Sequence, residues 1–177
     1  EYLRVNETSE SLKPEIKYPL DLNKHYQIRA VRILDHNLNP SVELDRTQTF
    51  RITIDYDIRE ETRIASIEFS ISKLDGTLIY HSTDIDLIEE KSIHRPPGSY
   101  RAFLVFPGYL LNAGTYQVNA FTTWDGKTDY DHPETGIIFI LKDFGTDAST
   151  AKNIVDKQGQ RRGLLAIPLE WESNLII

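Results

Sequence analysis

The sequence predicts an all-β chain: an antiparallel Ig-like or jelly-roll β-sandwich of about eight strands. Three observations predict it. From Tyr26 onward, apolar residues recur with a period of two in one segment after another. Those segments are joined by Gly, Pro, Asp or Asn turns, and no long stretch carries a helical period. Between Arg101 and Trp124, two alternating segments flank Leu111-Asn112-Ala113-Gly114-Thr115-Tyr116. A leucine, a glycine three residues on and a tyrosine two further is a pattern with which Ig-like sandwiches turn a corner between sheets. The tyrosine opens a strand, and its hydroxyl can bond back to the backbone just upstream.

The elements follow in order. Residues 1–24 are polar, with Pro14 and Pro19 and no sustained period, and read as a linker or arm. Residues 25–177 form the domain. Its first strand is Tyr26–Leu34. In the second, Phe50, Ile52, Ile54, Tyr56 and Ile58 alternate with Arg51, Thr53, Asp55, Asp57 and Arg59. Ile67, Phe69 and Ile71 alternate with serines and Glu68, Asp75-Gly76 makes a tight turn, and Leu78–Thr83 returns. After a polar loop over residues 84–98 come strands at Tyr100–Phe106, from Tyr116 to Phe121, and at Gly136–Leu141. The last is nearly all apolar, which suits a strand inside its sheet. Residues 142–163 are a polar connector in which 149–158 has the makings of a short helix. Leu164–Trp171 closes the chain as a strand, and Pro168, lacking an N–H, places it at an edge or a bulge.

The chain has 177 residues, long enough for one domain to build a core without disulfides or metal, and it has no cysteine. It also lacks methionine, even at position 1, and so reads as a piece of a longer protein. A net charge of −7 with interspersed signs argues against nucleic acid, which needs a basic patch. No apolar run reaches the ~20 residues of a membrane span.

No catalytic or metal-binding constellation emerges. Gly126-Lys127-Thr128 looks like the end of a phosphate-binding loop, but Phe121 stands where the required upstream glycine would be, so a hairpin turn is expected. The five histidines show no metal-ligand spacing. Asp84 with Asp86, and Asp129 with Asp131, are spaced to share a strand face, yet neither pair has the glycine-anchored loop of a calcium site. There is no cysteine nucleophile and no Gly-x-Ser-x-Gly elbow. No catalytic residue, metal or cofactor is expected.

Several pieces stand together in a familiar order: Ala30-Val31-Arg32-Ile33-Leu34-Asp35, Phe50-Arg51-Ile52, the hairpin Leu74-Asp75-Gly76-Thr77-Leu78-Ile79, the series from Phe103 to Tyr116, and Gly163-Leu164-Leu165 leading to Trp171. In these the chain resembles, over roughly Ile28 to Trp171, the C-terminal domain of the Wzt family, the ATP-binding subunits of ABC exporters for O-antigen polysaccharides. The resemblance implies a carbohydrate-binding module that recognises the finished, often modified, non-reducing end of the glycan before transport. It further implies a cytoplasmic place at the inner membrane, an upstream ATP-binding domain, a membrane-spanning exporter subunit, and a homodimer formed by exchange of the last strand. The long polar connector before an edge-type strand suits such a swap independently.

A glycan site needs an exposed aromatic beside amide, carboxylate or guanidinium groups, because a sugar ring has apolar C–H faces and a hydroxyl fringe. Two stretches offer this. Gln117, Asn119 and Phe121 point opposite to Tyr116 and Val118, and Phe121 is out of place on a polar face unless a bulge turns it inward. The following loop carries Trp124, Asp125 and Tyr130. Arg51 and His81 are candidate polar partners from other strands. Two other readings remain open: a protein-interaction or adhesion sandwich, and a glycan-modifying enzyme.

Overall fold

A computed structural model describes residues 12–63, 65–86, 94–124, 128–144 and 163–165. The described residues hold strands and no helix, and thus no helix long and apolar enough to cross a membrane. Two sheets face each other. The four-stranded sheet runs β1 (Glu15–Lys17), β2 (Tyr26–Leu34), β4 (Phe50–Ile58), β9 (Gly98–Phe106) in spatial order. The six-stranded sheet runs β3 (Glu43–Asp45), β12 (Ile137–Lys142), β10 (Gly114–Trp124), β6 (Ala65–Lys73), β7 (Leu78–Thr83), with β11 (Thr128–Asp131) also on β10. A small ribbon pairs β5 (Thr62–Arg63) with β8 (His94–Arg95). Every pairing is antiparallel except β12 with β3.

The alternation expected from the sequence is what builds the core. Ile52, Ile54, Tyr56 and Ile58 of β4 are buried while Arg51, Asp55 and Asp57 face outward. Across the sandwich, Tyr116, Val118 and Ala120 of β10 meet Ile137, Phe139 and Leu141 of β12 in the same core. Phe50 joins the layers: its ring lies 4.9 Å from Phe106 in its own sheet and 5.5 Å from Phe139 in the other. β12 sits between β3 and β10, inside its sheet as its apolar run predicts.

Two turns match their chemistry. At the β6–β7 hairpin Gly76 has φ +85°, a left-handed conformation that favours glycine, and the Asp75 carboxylate accepts the Thr77 N–H at 2.9 Å. At the corner before β10 the Tyr116 hydroxyl donates to the Asn112 carbonyl at 2.9 Å, four residues back. Burial raises the Tyr116 pKa.

Five short strands go beyond the sequence reading, three of them, β5, β8 and β11, in stretches expected to be connections. The arm forms β1 on β2, and Glu43–Asp45 forms β3 beside β12. The expected helix at 149–158 and most of the closing strand lie outside the described residues. What is described of that strand reaches the corner: Leu165 bridges Leu111, and the Asn112 N–H donates to the Leu164 carbonyl at 2.9 Å.

Candidate functional site

The outer face of the six-stranded sheet gathers four of the eight sequence-predicted residues, Gln117, Asn119, Phe121 and His81. β10 pairs with β6 in unbroken register from Tyr116 to Trp124, so Gln117, Asn119 and Phe121 all point away from the core. The register shift between β10 and β11 falls opposite Thr122 and Thr123 and places the extra residue, Tyr130, on β11, so it does not turn Phe121 inward. Phe121 is half-buried on this polar face, between two imidazoles. The His81 ring from β7 stacks on it, with centroids 5.6 Å apart and planes 18° apart, and the His132 ring lies at 5.1 Å.

Glu68 holds this strip in place. It stands directly opposite Phe121 in the register, and its carboxylate is 2.9 Å from His81 Nε2. Its other oxygen accepts hydrogen bonds from Ser66 Oγ at 2.9 Å and from Thr123 Oγ1. A carboxylate so occupied fixes the imidazole over the phenyl ring.

Next to the strip is a groove of about 390 Å³. Ser70, Ser72, Gln117 and Asn119 line its floor, the β6–β7 hairpin bounds one end, and His132, Pro133 and Glu134 bound the other. Gln117 Nε2 donates to Asn119 Oδ1 at 3.1 Å, which orders the two amides side by side. Chemically this is a shallow recess of neutral donors and acceptors beside the row of His81, Phe121 and His132 rings, with Lys73 and Glu134 at its rim.

The remaining predicted residues fall elsewhere. Arg51 is on the outer face of the four-stranded sheet, between Leu34 and Val105, and is not brought to the Phe121 group. Trp124 ends β10 opposite Thr128, and Tyr130 is in β11, which pairs antiparallel with β10; the side chains of Trp124 and Tyr130, and all of Asp125, lie outside the described residues. Sequence reasoning misses Glu68 and the ring contact of His132. Only the cross-strand register reveals the first, and only the path of the β11–β12 connection the second.

The other sheet carries a second groove of about 410 Å³, flanked by Arg29, Asp55, Asp57 and Arg101. Its charges satisfy each other. Asp55 takes two hydrogen bonds from Arg101, at 2.5 and 2.9 Å, and one from Arg32 at 2.7 Å. Those bonds, the Arg101 pair first, hold the Asp55 carboxyl below its ordinary range. Asp57 accepts from Ser99 at 2.8 Å and lies 3.3 Å from Arg29.

Three of the four aspartates singled out by spacing are engaged within the fold, and the side chain of the fourth, Asp129, lies outside the described residues. Asp84 bonds Arg95 and the Ile67 N–H, Asp86 bonds Ser82 and the Thr83 N–H, and Asp131 is buried against Lys24 and the Ile28 N–H. Among the described residues no three His, Asp or Glu side chains gather as a metal site.

No protein-family model matches the chain, and no curated protein matches it. A solved structure does: the crystal structure of the C-terminal domain of wzt aligns with a TM-score of 0.64, over 92% of this chain and 89% of that one, at 14% identity. The chain has the fold of the wzt C-terminal domain. At this identity the wzt likeness concerns the fold, and the β-sandwich expected from the sequence is thereby shown.

Proposed function

We propose that the chain is a polysaccharide-binding module that takes the non-reducing end of an O-antigen glycan on the outer face of its six-stranded sheet. It performs no chemistry of its own and serves an ABC exporter from the cytoplasmic side of the inner membrane, together with ATP-binding and membrane-spanning partners. The observation that carries the reading is Phe121, an aromatic ring held on a polar face between His81 and His132, beside a groove floored by two amides and two serine hydroxyls. That sets a row of three rings beside a polar fringe, the two kinds of surface that a sugar's C–H faces and hydroxyls require. The fold of the wzt domain supports the exporter setting.

The proposed homodimer finds support at β9. This strand ends the four-stranded sheet, its core-facing Tyr100, Ala102 and Leu104 are only half-buried, and Phe103 is 72% exposed. A strand supplied by a second copy would cover that edge.

Titrating the chain calorimetrically with the source organism's O-polysaccharide tests the reading. Saturable binding that Phe121→Ala weakens about tenfold or more is expected, as for a central aromatic contact. Binding that Phe121→Ala leaves untouched would move the site elsewhere, and turnover of the glycan would make the chain an enzyme.

A further inference from the structure

The groove wall at His132–Glu134 is anchored by the N-terminal arm. Tyr18 is half-buried, its N–H donates to the Arg29 carbonyl at 2.9 Å, and its hydroxyl donates to the Thr135 carbonyl at 2.7 Å. Arg29 is the bulged residue of β2, between Ile28 and Ala30. At the same bulge the Ile28 N–H donates to Asp131 Oδ2 at 2.8 Å, and Lys24 Nζ reaches Asp131 Oδ1 at 2.6 Å. A bulge interrupts the regular ladder and leaves backbone groups to be bonded from outside it. Here the arm and Asp131 take them. The Asp131 side chain is 2% exposed, so these partners stand where water would otherwise bond it.

Asp131 immediately precedes His132, and Thr135 immediately precedes Gly136. Gly136 is pressed against β10: a Cβ there would stand 2.2 Å from Asn119 Oδ1 and 2.2 Å from the Val118 carbonyl. The segment pinned at both ends by the arm therefore sets the ring that packs on Phe121 and the amide in the groove floor.

We propose that residues 14–24 are a positioning element of the groove, with Tyr18 and Lys24 setting His132 and Asn119 through Thr135 and Asp131, so that docking of the arm and occupancy of the groove favour each other. The inference rests on the groove being the glycan site. By linkage, whatever factor the docked arm adds to glycan affinity, bound glycan adds to arm docking.

The test uses the full chain with Tyr18→Phe, which removes one hydroxyl and keeps the ring, and Lys24→Gln as a second variant. Without ligand, NMR reads the His132 ring resonances and the amide exchange of His132, Thr135 and Asn119. Shifted ring resonances and faster exchange at those amides are expected in either variant, with Ile54 and Val118 unchanged. Resonances and exchange identical to the parent in both variants would overturn the positioning role, whether or not the groove binds glycan. With O-polysaccharide, a several-fold lower affinity for Tyr18→Phe and slowed exchange of the Tyr18 amide in the liganded parent are expected. Binding by the parent with equal affinity in both variants and no change in Tyr18 exchange would overturn the coupling. A parent that binds no glycan, with the ligand-free changes present, would overturn the glycan reading and leave the positioning standing.

Discussion

Phe121 and Tyr116 stand five residues apart on one strand and do opposite work. Tyr116 is 3% exposed and its hydroxyl closes the corner onto the Asn112 carbonyl, whereas Phe121 faces out toward His81 and His132. Period two was enough to separate them, because β10 keeps register with β6 across the whole stretch. The same alternation puts Arg51 and His81 on outer faces, but a period cannot say which sheet a strand joins. Only topology shows that His81 shares a face with Phe121 and Arg51 does not. Tyr116→Phe should lower stability by about 1–2 kcal/mol, since it removes a buried hydrogen bond. Chemical denaturation measures it, and glycan affinity should be unchanged because the hydroxyl lies in the corner, away from the groove.

Among the elements, the long strands were legible and the three-residue ones were not. β2, β4 and β7 match the sequence reading end to end, since six to nine residues of alternation leave little ambiguity. β1 and β3 show no period, being Glu-Ile-Lys and Glu-Leu-Asp, and both exist because an outer strand offers them its free backbone edge. The β11–β12 connection shows how tightly the elements around the groove are fitted. Gly136→Ala would drive a methyl into the Val118 carbonyl and the Asn119 side chain. It should cost about 1–3 kcal/mol, as overpacking does. It should also weaken glycan binding by displacing Asn119. Thermal melts and calorimetry on the same variant check both.

At the scale of the whole molecule, tyrosines tie the layers and set the alkaline limit. Burial, with the Asp131 charge adding to it, pushes the Tyr18 pKa up to about 12. Burial also raises Tyr26, Tyr56 and Tyr116. Each folded value lies above the unfolded value of about 10. Their neutral forms therefore support the fold in full below that pH, and the support is lost as pH rises through the folded values. Stability should stay level to about pH 10 and fall beyond it. Tyr18→Phe should make that fall shallower between about pH 10 and 12. Denaturant midpoints measured across that range follow it, and a slope equal to the parent's would contradict the burial of Tyr18.

On the proposed function, Phe121 and its groove bind the end of an O-antigen chain. Calorimetric titration of the parent and Phe121→Ala with O-polysaccharide carrying its natural terminal group, and with the same polymer lacking it, tests this most directly. Tighter binding of the finished polymer by the parent, and loss of that binding in Phe121→Ala, are expected. Equal binding of both polymers by the parent, or none, would contradict the proposal.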